Sequence, residues 1–183
     1  MNVFPEDTLL QYGVLPWHIH TMHRRLRFAF QQGNPEEILL QAAYLGHYVA
    51  DACTPLHTTL YYNGRETRQK GIHGLWESRL PELFFEHYTF AVGKAEYVPD
   101  VLDRAWELVK YSHTKADDLY HAFDSIFLNS PAHSLYSHQM RGQAHQRVFS
   151  LRFCKDFHQA LKGMVEFQMR LAIKTIGDLW YTA

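Results

Sequence analysis

The chain has 183 residues, 46% hydrophobic and 20% charged, with 18 basic against 19 acidic side chains. That is enough for one domain with a sizeable core, and near-neutral charge excludes a global electrostatic pull on nucleic acid or anionic membrane, leaving any such affinity to a local site. No apolar run approaches the roughly 20 residues that span a bilayer, the opening MNVFPEDTLLQYG has no signal-peptide pattern, and Cys53 and Cys154 are too few for a disulfide framework and read as small buried thiols.

In chain order, PWHIHTMHRRLRFAFQQG predicts a helix from Pro16 to a Gly33 C-cap, with Ile19, Met22, Leu26 and Phe30 on one side. NPEEILLQAAYLGHYVADACTP follows, with Asn34 as N-cap, Pro35 at the first helical position and Glu36 and Glu37 in the first turn. Ile38, Leu39, Ala42, Leu45 and Val49 supply an apolar face of helical period, and Pro55 stops the helix, which is expected over about 35–53. Residues 58–71, TTLYYNGRETRQKG, are polar with two glycines and predict a loop. IHGLWESRLPELFFEHY predicts a short helix, a break at Pro81 and a second short aromatic helix.

A long amphipathic pattern then runs from Pro99 to about Phe127, and NSPAHSLYSHQMRG predicts a second loop. A last long helix, from about Ser150 to Trp180, carries Leu151, Phe157, Leu161, Met164, Phe167, Leu171 and Ile176. No alternating strand pattern of useful length, internal repeat or low-complexity tract is present in the sequence. Short connections between amphipathic helices predict an all-α helical bundle, a single domain over 1–183.

Five titratable residues interrupt this apolar pattern as H-x3-D-x5-H-x15-H-x3-E: His47, Asp51, His57, His73 and Glu77. His47 and Asp51 stand one turn apart on one predicted helix, and His73 and Glu77 repeat the spacing on another. His57 follows Pro55 at a stiffened corner. Zinc takes imidazole nitrogen and carboxylate oxygen at roughly 2.0–2.2 Å, so its ligands must converge, and facing helices in a bundle bring such side chains together. One such pair is weak evidence, but two pairs with a Pro-Leu-His between them make a metal site the expected reading.

LGHYVADACTPLH resembles the signature of the zinc-dependent phospholipase C family and its relatives, the trinuclear-zinc single-strand-specific nucleases, approximately H-[YF]-[IL]-[GA]-D-x-x-Q-P-[LM]-H. The match falls at His47, Tyr48, Ala50, Asp51, Pro55, Leu56 and His57. GIHGLWES is similar to the family's later segment, where a histidine and an acid four residues on complete one zinc. The similarity extends more loosely over about residues 16–85 and beyond that rests on helix order.

The resemblance implies a phospholipase C/nuclease-like helical fold and up to three zinc ions. His57, His73 and Glu77 would hold one zinc, while His47 and Asp51 would belong to a paired site with the Asp51 carboxylate as bridging ligand. In the family the paired metals activate a shared water for in-line attack on phosphorus, and the third stabilises the leaving oxygen. The implied activity is phosphodiester or phosphate monoester hydrolysis, on phospholipid or single-stranded nucleic acid. Family members are exported, so the resemblance implies a secreted or periplasmic protein without stable membrane insertion.

The match breaks upstream. The family's mature chain begins with a tryptophan whose amine and carbonyl bind metal, and further ligands precede the H-x3-D segment. This chain begins Met1-Asn2, has 46 residues before His47, and carries Thr54 where the family has glutamine. Two explanations stay open. The favoured one is that the chain is the central and C-terminal part of a longer protein, holding the single-zinc centre well and the paired centre poorly. The other is a complete chain binding fewer metals and recruiting His18, His20 or His23.

Blander readings stand beside these. His18, next to Trp17, is expected to support the ligands by hydrogen bonding rather than to bind metal. His20 and His23 are expected to pack or cap carbonyls, and the histidines from His87 to His158 to be surface or incidental. Arg65, Arg68 and Lys70 could draw a phosphate toward the metals, although loop charges are more often solvated. Tyr61, Tyr62, Trp76, Phe84 and Phe85 could stack a base or line an acyl pocket, with Trp76 and Phe84 more simply core. A rival class is a helical binding or structural module in which zinc only cross-links helices. A fourth protein ligand would favour that class, and an open position would favour catalysis.

Overall fold

The computed structural model describes residues 13–142 and 144–183, and the statements below concern these. Helix α1 (Leu15–Gln32) ends as expected on Gly33. Helix α2 (Pro35–Ala52) begins as expected on Asn34, whose side chain accepts hydrogen bonds from the Glu36 and Glu37 N–H groups. Their buried faces differ slightly from the expected ones. In α1 Ala29 replaces Phe30, which is 47% exposed, and in α2 the inward stripe is Gln41, Leu45, Val49 and Ala52 while Leu39 is 72% exposed. Helical periodicity allows either of two neighbouring residues to face inward, and in α1 it is the smaller one that is buried.

The chain turns at Pro55 into one 3-10 turn (Pro55–Thr58) that carries His57. The following polar loop includes a second 3-10 turn at Thr67–Gln69. Gly64 has φ 114°, and a Cβ there would lie 2.7 Å from that of Gln69, so both backbone and space demand glycine. The next helix, α3 (72–84), is α at Ile72–Gly74, widens to a π turn at Leu75–Arg79 and returns to α at Leu80–Phe84. The expected break at Pro81 is thus absent. Proline has no N–H to donate and its ring crowds the carbonyl four residues back, and the wider turn, in which Leu80 N–H reaches Leu75 O, absorbs both effects.

The expected single helix from Pro99 to Phe127 is two, α4 (Val101–His113) and α5 (Ala116–Asn129). At the break the Thr114 hydroxyl donates to Tyr111 O at 2.7 Å, a side-chain alternative to continuing the helix. The second expected loop instead holds a hairpin, β1 (Tyr136–Arg141) antiparallel to β2 (Ala144–Phe149), with Tyr136 opposite Phe149 and Arg141 opposite Ala144. β2 is exposed except at its end, so burial imposed no apolar alternation for sequence reading to detect. The last helix is also two, α6 (Leu151–Ala160) and α7 (Met164–Thr182), divided where Lys162 and Gly163 take positive φ.

The helices form an all-α bundle around two clusters. One is aromatic-rich, built on α3, α5, α6 and the hairpin. In it Phe123 meets the rings of Phe149, Phe153 and Phe157 edge to face at 5.3–5.7 Å. Each such pair is worth about 0.5–1.5 kcal/mol beyond its buried area. The other cluster is mainly aliphatic and joins α1, α2, α4 and α7 through residues such as Ile19, Leu26, Leu45, Val49, Leu108 and Leu179. Cys53 and Cys154 are free and buried, as expected of small core thiols; burial pushes the Cys53 thiol up to about 12 and also raises that of Cys154. Among the described residues no helix is long and apolar enough to cross a membrane.

Candidate metal centre

Three of the five expected residues meet. His57 arrives on the 3-10 turn behind Pro55, and His73 and Glu77 project from α3. His57 Nε2 lies 2.9 Å from His73 Nε2 and 2.8 Å from Glu77 Oε1, and His73 Nε2 lies 3.0 Å from the same oxygen. Their side chains are 24%, 28% and 32% exposed, which leaves the group open to solvent on one side.

The fourth residue has another position. Asp51 Oδ1 lies 3.2 Å from His57 Nδ1, on the side of the imidazole away from the group. This hydrogen bond, with the charges of Glu77 and Asp51, raises the His57 pKa above its ordinary value against the opposing effect of partial burial. With its Nδ1 proton given to Asp51, a neutral His57 presents a lone pair at Nε2. Lone pairs of His57 and Glu77 then confront each other at 2.8 Å, a contact that is favourable only with a cation, proton or metal, between them. The donor set of two imidazoles and one carboxylate suits a metal ion, and a carboxylate behind a ligating imidazole is the usual way to fix the tautomer. His57, His73 and Glu77 are therefore able to hold a metal ion.

His47 stands one turn before Asp51, with Nε2 3.4 Å from Oδ2, and is 66% exposed. It is outside the converging group and touches it only through Asp51 and His57. His18 packs edge-on against Tyr48, centroids 4.3 Å apart, so its ring contact is with the neighbour of His47 and not with a ligand.

The loop that presents the site is fastened from α5. Arg68 makes two parallel bonds to Asp124, both 2.9 Å, and Arg65 pairs with Asp117 at 2.5 Å while lying over the Tyr120 ring. These partners hold the Asp117 and Asp124 carboxyls below their ordinary range, so two of the three loop cations are anchors, while Lys70 is exposed. The buried Tyr120 hydroxyl donates to Tyr61 O at 2.7 Å. Of the aromatics, Trp76 is core at 4% exposure, Phe84 packs against the aromatic cluster and Phe85 is exposed. Tyr62 is 54% exposed and meets His73 edge-on at 5.5 Å, placing an aromatic face at the rim of the centre. A cavity of about 170 Å³ adjoins Glu77 and is walled by Thr54, Trp76, Pro81, Gln168 and Met169.

Sequence reasoning missed two histidines. His113, at the end of α4, lies 3.0 Å from Thr58 O and 3.2 Å from its hydroxyl, tying down the turn that bears His57. His158 bonds the Tyr88 hydroxyl at 2.7 Å and lies against Phe84. No spacing signal marks either. The acids Asp117 and Asp124, by contrast, had a cue in a loop that carries three cations against one acid, Glu66. No known family model, curated protein or solved structure matches the chain.

Proposed function

We propose that the chain is a zinc-dependent phosphoesterase, of phospholipase C-like or nuclease-like type, in which His57, His73 and Glu77 hold a zinc ion. The observation that carries this reading is the convergence of three donor atoms, from the Pro55 turn and from α3, to within 2.8–3.0 Å of one another. Asp51 supports it by orienting His57 from behind, and the order of residues is that of the signature described above. Zinc bound there would supply a Lewis acid for a phosphoryl oxygen and lower the pKa of water. The protein's own contributions are placement of the donors, a proton acceptor at Asp51 for His57 Nδ1, and Tyr62 at the rim for an aromatic or apolar group of the substrate.

The alternative, a zinc that only cross-links the helices, calls for a fourth protein ligand. Among the described residues the group offers three, which favours the catalytic reading. Elemental analysis of purified protein tests both: about one zinc per chain is expected in the wild type and none in His73→Ala. Chelator-sensitive turnover of bis-p-nitrophenyl phosphate then separates enzyme from cross-link, and single-stranded DNA against a phosphatidylcholine analogue separates the substrate classes. A metal-free protein would end the proposal.

A further inference from the structure

The cleft of about 170 Å³ beside Glu77 lies where the two cores part: Cys53 and Ala172 in its wall belong to the aliphatic cluster, Trp76 and Val165 to the aromatic one. Its solvent side carries Ala50, Thr54 and Glu77. Its floor is Cys53, Trp76 and Val165, at 2%, 4% and 2% exposure. Resting on the phosphoesterase reading above, we propose that this cleft is a substrate pocket for a compact apolar group, about the size of one benzene ring, esterified to the phosphate that the metal group holds.

Position is the first argument. Glu77 belongs both to the metal group and to the cleft wall, so the cleft opens beside any phosphate held there. Wall chemistry is the second. Among the described residues lining the cleft, Glu77 is the one charged side chain, and no Lys, Arg or His is present to recognise a second phosphate or an anionic headgroup. The Thr54 hydroxyl donates to Ala50 O at 3.2 Å, and the Gln168 amide is drawn toward α4, donating to the Ser112 hydroxyl at 3.4 Å. Burial keeps Cys53 a thiol, which adds no charge to the floor. What remains facing the cleft is mainly indole, proline ring, thioether and methyl surface.

Size is the third argument. An apolar cavity of about 150 Å³ accommodates benzene. At about 170 Å³, with Trp76 closing the floor, this cleft matches one ring and is too small for an extended acyl chain or a fused pair of rings.

Three phosphonates with the same metal-binding head test the pocket: ethyl, benzyl and naphthylmethyl. Because the head is constant, its contact with the metal cancels when affinities are compared. In calorimetric titration of the zinc-loaded chain, benzylphosphonate should bind at least about tenfold more tightly than ethylphosphonate, since even one methylene in an apolar pocket changes binding by about 10–200-fold. Naphthylmethylphosphonate should lose that gain. Ala50→Leu fills the mouth from an exposed position and should abolish the benzyl preference, with zinc content and ethylphosphonate affinity as in the wild type. If that variant does not fold, Thr54→Leu replaces it. A probe without the head isolates the cleft from the metal: benzyl alcohol, added to the metal-free chain, should shift the methyl NMR signals of Met169 and Ala172 but not that of Met22 in α1. Equal binding of ethyl- and benzylphosphonate, an undiminished preference in Ala50→Leu, or unmoved methyl signals would each overturn the pocket and leave the phosphoesterase reading standing. A chain that takes up no zinc ends that reading instead, and the benzyl alcohol shifts then decide whether the cleft takes an apolar ring.

Discussion

The aromatic and aliphatic halves of the bundle handle charge differently. In the aromatic half most charged groups around the centre are paired: His57 with Asp51 and Glu77, Arg68 with Asp124, Arg65 with Asp117. In the aliphatic half α1 leaves Arg24 and Arg27 without acids, and a buried imidazole nitrogen without a partner, among the described residues. The candidate metal group lies at the seam, since Cys53 belongs to the aliphatic cluster and Leu56, one residue before His57, to the aromatic one. A bundle with two cores can thus place a polar centre between them without burying it in either, and the ligands stay about a quarter to a third exposed.

The largest test of this division is in the cores. Phe123→Ala removes the hub of the ring cluster and should cost about 3–5 kcal/mol in urea denaturation, against about 2–5 kcal/mol for Leu45→Ala on the aliphatic side. Next is the metal itself. Zinc at a hundredfold its Kd should add about 2.7 kcal/mol of stability. That gain should vanish in His73→Ala, and amide exchange should slow in residues 55–58 and 72–84 more than in α1. Zinc slowing exchange equally in both halves would erase the distinction drawn here.

A smaller effect is expected at the seam. Asp51→Asn removes the carboxylate that orients His57 and should weaken zinc binding about 10–100-fold. The pH dependence has opposite signs with and without metal. In the metal-free chain the raised His57 pKa contributes stability that is fully present below its ordinary value of 6.5 and lost as pH rises through the raised one. Zinc needs the neutral imidazole, so its affinity should fall as pH drops through that same raised value. Titration of the His57 ring by NMR, in wild type and Asp51→Asn, follows both. Smallest of all, neither Cys53 nor Cys154 should react with iodoacetamide in the folded protein, because burial keeps both as thiols.

Much of the left-hand part of the fold was legible because its signals are local. Asn34, Pro35 and Gly33 act on neighbouring backbone groups and set the ends of α1 and α2 wherever the helices pack. The donors at 57, 73 and 77 were legible because metal coordination draws on few residue types and a helix fixes the spacing of 73 and 77. What escaped depends on tertiary context. The break at Thr114 has no glycine or proline to announce it, and the hairpin has a largely exposed second strand. The place of Asp51 behind His57 depends on how the Pro55 turn swings the imidazole back toward α2, which spacing does not encode.

The widened turn in α3 has a consequence for mutation. An ordinary helix rotates by about 100° per residue. The surplus residue in Leu75–Arg79 therefore acts as a built-in phase offset, keeping Leu75, Trp76 and Leu80 inside while Glu77 meets His73. Deleting a single residue between 77 and 81 would let this turn close to ordinary α geometry with the downstream face still in phase, whereas deletion in a regular stretch of the helix would turn everything downstream by that angle. Helix α3 thus tolerates the loss of a residue at its widened turn better than anywhere else along it.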